Sequence, residues 1–249
     1  METEKKKISG LSDIGLRRKN NEDAVYYDSN EFGTLLMVAD GMGGHRKGEV
    51  ASKMVIDSLA IPFHSFHRVF HTRRSKKFLK KYIKLSNKSI YRMSLSGDEY
   101  REMGTTLVCA LIGDVETTIC SIGDSRCYII DKEGVLKQVT KDQTYVELLF
   151  ESGKISKSEI STHPQKNLLI NAVGINPDLS NCEEFVLKND SYRCIMLCSD
   201  GLYNMVSDEE IQKTLNDSAL SSEEKAKSLL KKALTNGGND NIAIVLYEN

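Results

Sequence analysis

The chain has 249 residues, 40% of them hydrophobic and 28% charged, with a formal net charge of −1. That length can bury a substantial core, and so even a charge balance argues against a role resting on global attraction to nucleic acid or a membrane surface. No apolar stretch approaches the roughly 20 residues that span a bilayer and METEKKKISG lacks an apolar leader core, so a cytoplasmic protein without membrane insertion is expected.

The N-terminal charges run straight into a short strand. AVYYD and TLLMVAD then read as two strands across the turn DSNEFG. From Gly48 the pattern becomes helical through EVASKMVIDSLA, with Val50, Met54 and Leu59 among its apolar positions. A second helix is predicted from Lys76 to Met93, where Phe78, Tyr82 and Leu85 recur at helical spacing with Leu79 and Ile83 alongside. TTLVCALI, VETTICSI and SRCYII follow as strands, joined by turns at Gly113-Asp114 and Gly123-Asp124, and DKEG leads into a fourth, VLKQVT. The region from about Lys141 to Pro177 is mixed, helical at YVELLFESG and polar around STHPQKN. Strands resume at CEEFVLK and YRCIMLCSD. The segments DEEIQKTL and SEEKAKSLLKKAL are helical, and NIAIVLY is the last strand.

Strands adjacent in sequence, with helices grouped in two blocks, predict an α+β fold: a sandwich of two antiparallel β-sheets flanked by α-helices. With three prolines, no linker and no repeat, a single domain over residues 1–249 is expected. The six cysteines form no CxxC pair, and five lie in apolar strand-like runs. They read as small buried hydrophobes in a reducing compartment.

Acids recur where these strands end or begin. LLMVADGMGG stops on Asp40, IMLCSDG on Asp200, and GGNDNIAIVLY places Asp240 before the last strand. NNEDAVYY sets Glu22 and Asp23 at an early strand, and SIGDSRCY puts Asp124 in a turn between two more. Each of these pieces alone is an ordinary turn former. Together they would gather like charges at one edge, raising one another's pKa, unless hard divalent cations sit among them; Mg²⁺ and Mn²⁺ favour oxygen ligands. The glycine after Asp40 leaves the Gly41 carbonyl open as a further ligand.

SDIGLRRKNNEDAVYY, VADGMGGHRKGEVAS, MGTTLVCALI, SIGDSRCYII, LCSDGLYNMVSDEEI and NGGNDNIAIVLY occur in this order over about Ser12 to Tyr247. In them the chain resembles the metal-dependent protein serine/threonine phosphatases of type 2C, in their compact bacterial form. The resemblance implies a two-metal centre of Mn²⁺ or Mg²⁺ at one end of the sandwich. Asp40 would bridge the ions, Gly41 would give a backbone oxygen, and Asp200 and Asp240 would hold the first ion. Glu22 and Asp23 would act largely through bound waters, and Arg18 would hold the substrate phosphate with its fork of donors. Catalysis would fall to Arg18, Asp40 and Asp200 around a metal-activated water, with no cysteine or serine nucleophile. Asp124 matches the acid of a weaker third metal site, but Asn204 stands where animal enzymes carry that site's second acid. Met42 replaces their candidate general-acid histidine, and His45 is the nearest alternative. Residues 141–177 would form a flap beside the site. The implied partners are phosphorylated proteins, including a Ser/Thr kinase that the enzyme opposes, and a monomer is expected.

Four other readings are open. A catalytically silent scaffold would have lost a metal acid, yet Asp23, Asp40, Asp200 and Asp240 are all present. A nucleotide-binding module would need a GxxxxGK[ST] loop, which VADGMGGHRKGEVAS does not supply. FHSFHRVFH would put His64, His67 and His71 on one helical face and could suggest zinc, but solvent-facing histidines beside Phe63, Phe66 and Phe70 fit better. RRSKKFLKKYIK, with seven basic residues in twelve, could attract acidic phosphoprotein or, less readily, nucleic acid; a solvated helix face is the simpler expectation.

Overall fold

The computed structural model describes residues 7–43, 47–179 and 181–249. Its centre is a strand with no polar face: in Gly33–Met42, Leu36 and Val38 point to one side while Leu35, Met37 and Ala39 point to the other, all fully buried. A strand of this kind needs cover on both faces, and the rest of the chain provides it.

In chain order, β1 (Lys7–Asp13), β2 (Asp23–Asn30) and β3 (Gly33–Met42) lead to two long helices, α1 (Gly48–His64) and α2 (Thr72–Ser94). Five strands follow: β4 (Gly104–Thr105), β5 (Leu107–Ile112), β6 (Glu116–Ile122), β7 (Arg126–Asp131) and β8 (Leu136–Gln138). The short helices α3 (Tyr145–Glu151) and α4 (Lys157–Ile160) precede β9 (Glu183–Lys188) and β10 (Tyr192–Cys198). Then come α5 (Asp200–Tyr203), α6 (Asp208–Leu215), α7 (Ser222–Thr235) and β11 (Ile242–Glu248).

All strand pairings among the described residues are antiparallel, in two sheets ordered β1-β11-β10-β7-β8 and β2-β3-β5-β6-β9, with β4 beside β3. Leu36, Val38 and Val108 of one sheet meet Ile195, Leu197 and Val245 of the other. The outer face of the β3 sheet is covered by Val55, Leu59 and Phe63 of α1 and by Phe78, Leu79 and Ile83 of α2. The other sheet is covered by Leu202, Ile211 and Leu229 of α5, α6 and α7. The α+β sandwich expected from the order of elements is the observed fold.

The local departures have physical causes. TTLVCALI is broken at Thr106: β4 pairs with Gly41–Met42, whereas β5 pairs with Thr34–Val38. The break frees Thr106 to bond Asp40. VLKQVT forms only a three-residue strand, and α2 starts four residues before the expected Lys76. The three histidines do not share a helix face. Pro62 falls in the last turn of α1, which ends at His64, and His71 caps the next helix. His64 lies 3.0 Å from the Tyr26 hydroxyl and 3.3 Å from Asp28, while His67 meets the Phe32 ring edge-on. All three are exposed beside Phe63 and the buried Phe70. The described cysteines are free, and all but Cys182 are buried.

Candidate active site

The hairpin of β2 and β3 sets Asp23 opposite Asp40 in register, so two acids far apart in sequence become neighbours at one sheet end. The backbone of Asp40 is held on both sides. Its N–H donates to Thr106 Oγ1 at 3.0 Å, and its carbonyl accepts from the Thr106 N–H at 2.8 Å and the Thr105 hydroxyl at 2.9 Å. The carboxylate is left for other work. Gly41 donates to the Glu22 carbonyl at 3.0 Å, and a Cβ on Gly41 would fall 2.3 Å from the Gly48 carbonyl. Only glycine lets these backbones come so close.

From the other sheet, β10 ends at Cys198 and delivers Ser199 and Asp200, and the turn before β11 delivers Asp240 and Asn241. Gly201 is again forced by approach, since its Cβ would meet the Asn241 carbonyl at 1.9 Å. Asn241 holds the N-terminal loop: its Oδ1 accepts from the Glu22 N–H at 2.9 Å, and its amide donates to the carbonyls of Ile14 at 2.9 Å and Asn20 at 3.0 Å. That loop carries Arg18, whose Nη2 donates to Asp240 Oδ2 at 2.6 Å.

These elements close around a cavity of about 230 Å³ lined by Arg18, Glu22, Asp40, Asp124, Asp200 and Asp240. Gly41, Met42 and Thr106 also reach it, and Asn167 and Leu169 come from the mixed region after β8. Six of the seven expected metal or phosphate residues, Arg18, Glu22, Asp40, Gly41, Asp200 and Asp240, therefore lie together, with Asp124 beside them. Asp23 does not line the cavity. It is buried behind it, accepting from the Ser199 hydroxyl at 2.6 Å. His45 falls outside the described residues. Asn204 donates to Asp200 Oδ2 at 3.2 Å.

The electrostatics are lopsided. Burial first, then Asp23, Asp200, Asp124 and Asp240, push the Asp40 carboxyl well above the usual carboxylate range. Burial raises Asp23 to about 8 against the opposing Ser199 bond. Burial, followed by Asp200 and Asp142, takes Asp124 to about 8. Burial and Asp240 take Asp200 to about 6, with Arg18 and Arg126 pulling the other way. Glu22 is raised by burial and then by Glu49. Arg126 is itself engaged, forked onto Asp142 at 2.6–3.1 Å and stacked 3.5 Å from the Tyr203 ring centre.

One oxygen of the cavity wall tests whether cations fit. Asp200 Oδ1 is buried without a hydrogen-bond donor among the described residues, and buried charge without a partner is costly. Hard divalent cations would satisfy it and relieve the repulsion. Among the described residues no three His, Cys, Asp or Glu side chains close on one point. The carboxylates instead ring the cavity, which suits ions that complete their shells with backbone carbonyls and water.

The supporting residues were not visible in the sequence. Thr106, Ser199 and Asn241 carry the acids' backbones and loops, yet in the chain they read as strand and turn residues. Only the adjacency of Asn241 to Asp240 gave a signal.

Known proteins resemble this chain in sequence and in fold. Residues 17–236 match the family model described as protein phosphatase 2C. The chain is 36% identical to the serine/threonine phosphatase stp of Listeria monocytogenes, over 95% of this chain and 93% of that protein. The crystal structure of serine/threonine phosphatase Stp1 from Staphylococcus aureus superposes with a TM-score of 0.92 at 33% identity, covering 98% of this chain and 95% of that one. The catalytic domain of the serine/threonine protein phosphatase PstP, solved in complex with two manganese ions, superposes at 0.83 with 33% identity, over 97% and 96% of the two chains.

Proposed function

This chain belongs to the protein phosphatase 2C family, and we propose that its carboxylate-ringed cavity binds two Mn²⁺ or Mg²⁺ ions and hydrolyses phosphoserine and phosphothreonine on proteins. The observation that carries this reading is the convergence of Glu22, Asp40, Asp200 and Asp240 with Arg18 around one cavity, where a buried oxygen of Asp200 has no donor among the described residues. When bound, such ions lower the pKa of water and neutralise charge on a phosphoryl group. Asp40 stands between the acids of both sheets and is the candidate bridge, with Asp200, Asp240 and the Gly41 carbonyl around it. Glu22, and Asp23 behind the wall, hold water or orient the others. Asp124, with the amide of Asn204 nearby already donating to Asp200, offers at most a weaker third site.

Arg18 is paired with Asp240 through one nitrogen, which leaves guanidinium N–H groups free to take phosphate oxygens. Its charge would then act on both the ligand acid and the substrate. Asn167 and Leu169 support the reading of residues 141–177 as a flap that shapes which phosphoprotein enters. The substrates would include a Ser/Thr kinase that this enzyme opposes. Free thiols throughout the described chain suit the reducing cytoplasm.

The test is phosphate release from a phosphothreonine peptide with Mn²⁺, with Mg²⁺ and with chelator, alongside Asp40→Asn. Metal-dependent release that disappears in the variant is expected. Release that persists in chelator, or in Asp40→Asn, would overturn the two-ion reading.

A further inference from the structure

Helix α2 carries charge that its own stability does not ask for. Its 23 residues include nine Lys and Arg and no acid. The rest of the chain therefore carries a net −10, the difference between the overall −1 and this +9. Lysines and arginines recur at i,i+4 as Arg73–Lys77, Lys76–Lys80, Lys77–Lys81, Lys80–Lys84, Lys84–Lys88 and Lys88–Arg92, and each such pair is destabilising. Arg73 and Arg74 also crowd the N-terminal turn, where the helix dipole disfavours cations. Lys76 finds Glu184 at 3.6 Å. Among the described residues no carboxylate comes within ion-pairing distance of Arg68, Arg74, Lys77 or Lys81.

Those four cations rim a groove of about 310 Å³ at the start of the helix. Its floor is aromatic. Phe66, Phe78 and Tyr82 form a tilted array, with ring centres 5.5 Å apart for Phe66–Phe78 and 4.8 Å for Phe78–Tyr82. Phe78 is 4% exposed, and the other two are half-buried. Recessed rings under a cationic rim suit a side chain that enters from outside. They suit less well a membrane surface, which takes protruding apolar residues, or single-stranded nucleic acid, which stacks on presented rings.

We propose that this groove docks an acidic peptide segment bearing an aromatic or large apolar side chain, carried by the phosphoprotein substrate at a distance from its phosphorylated residue. The apolar side chain fills the aromatic floor, and flanking carboxylates meet Arg68, Arg74, Lys77 and Lys81. The helix links the groove to the active site. Asn87, ten residues beyond Lys77, donates to the Asn176 carbonyl at 3.0 Å and accepts from the Gly174 N–H at 2.8 Å. Val173 in turn pairs with Thr105, next to the residue that holds Asp40. The groove lies at the far end of that helix, where Phe70, stacked on Phe66, is bonded to Phe32 just before β3. The seven residues from Gly33 to Asp40 rise about 23 Å, so an extended peptide at roughly 3.3 Å per residue needs at least about seven residues between the acidic anchor and the phosphate.

The inference rests on the phosphatase reading, but its first test does not need turnover. A fluorescein-labelled, phosphate-free dodecapeptide of Glu and Asp with a central Phe is titrated with the full chain and followed by anisotropy. Saturable binding is expected, weakened about tenfold by Lys77→Glu combined with Lys81→Glu and by replacing the peptide's Phe with Ser. Both lysines are exposed helix positions that accept glutamate. In turnover, a phosphothreonine peptide with the acidic tract about eight to twelve residues away should show a lower KM than one without it, at equal kcat. The double variant should erase that difference and hydrolyse a small aryl phosphate as the parent does. Equal affinity in parent and variant, a tract without effect on KM, or tighter binding of an oligonucleotide or phosphatidylserine vesicles than of the peptide would overturn the groove. Peptide binding with no phosphate release under any metal would instead overturn the phosphatase reading.

Discussion

Asp40 carries a charge its surroundings resist, because burial and four neighbouring aspartates all favour its neutral form. Asp40→Asn should therefore cost no stability in chelator and raise the melting temperature slightly, while abolishing Mn²⁺-dependent turnover. A variant that loses both stability and turnover would make Asp40 a structural residue. Asn241 is the opposite case. Its side chain, 5% exposed, satisfies one half-buried N–H and two carbonyls of the loop that bears Arg18 and Glu22. Asn241→Ala should destabilise by about 2–3 kcal/mol in urea unfolding, since groups left without partners bear their desolvation cost. A loss under about 0.5 kcal/mol, the net value of the weakest single bond, would show that water replaces it. The two residues also differ in how legible they were. An acid ending an apolar run is conspicuous, whereas an asparagine before a strand is what any turn would use.

Among the elements, the connection between α1 and α2 is the most informative. Phe70 is fully buried, stacked on Phe66 at 4.5 Å and on Phe63 at 5.9 Å, and edge-on to Phe78 at 5.3 Å. Its backbone is tied to Phe32 and Asp114 of the sheet. Phe70→Ala should cost about 3–5 kcal/mol, the range for a large aromatic removed from a tight core, and chemical denaturation will measure it. The sequence placed α1 and α2 by their apolar periodicity. It did not show that Pro62 and the phenylalanine stack would end one helix and turn the chain; the histidines are exposed beside the phenylalanines as expected, but they share no helix face. The break at Thr106 was hidden for a related reason. Nothing in TTLVCALI marks where pairing with Gly41 stops and pairing with Val38 begins.

At the scale of the whole molecule, two helix-covered sheets bring their strand ends together and concentrate acid at one edge of the sandwich. The buried carboxylates bind protons more tightly when folded than in the unfolded chain, where they titrate near 4. Between that value and about 8, where Asp23 and Asp124 lie, the folded state holds the extra protons. Stability conferred by these groups is thus fully present in acid and is lost as pH rises through this window. In chelator, the melting temperature should fall between pH 5 and pH 8. Mn²⁺ should restore it, with the largest gain at the alkaline end, because the ions take the deprotonated form. Saturation at a hundredfold excess over Kd corresponds to about 2.7 kcal/mol. A chelated protein whose melting temperature climbs from pH 5 to pH 8 and ignores Mn²⁺ would contradict the reading of this cavity as a metal site. No helix among the described residues is long and apolar enough to cross a membrane.

By itself the sequence determined the strands, the two helical blocks, the antiparallel sandwich and the acids Glu22, Asp40, Asp200 and Asp240. These are local matters, set by side-chain periodicity and by charges placed where apolar runs end. Tertiary structure alone decided that Asp23 lies behind the cavity, that Arg18 pairs with Asp240, that Thr106 and Asn241 hold the site's backbone, and that α2's cations rim an aromatic groove. The first three depend on which residue meets a partner tens to hundreds of positions away, and the groove on how the turn after α1 folds Phe66 and Arg68 back onto α2. Hydrogen bonds and packing choose that partner by distance in space, which spacing along the chain does not encode.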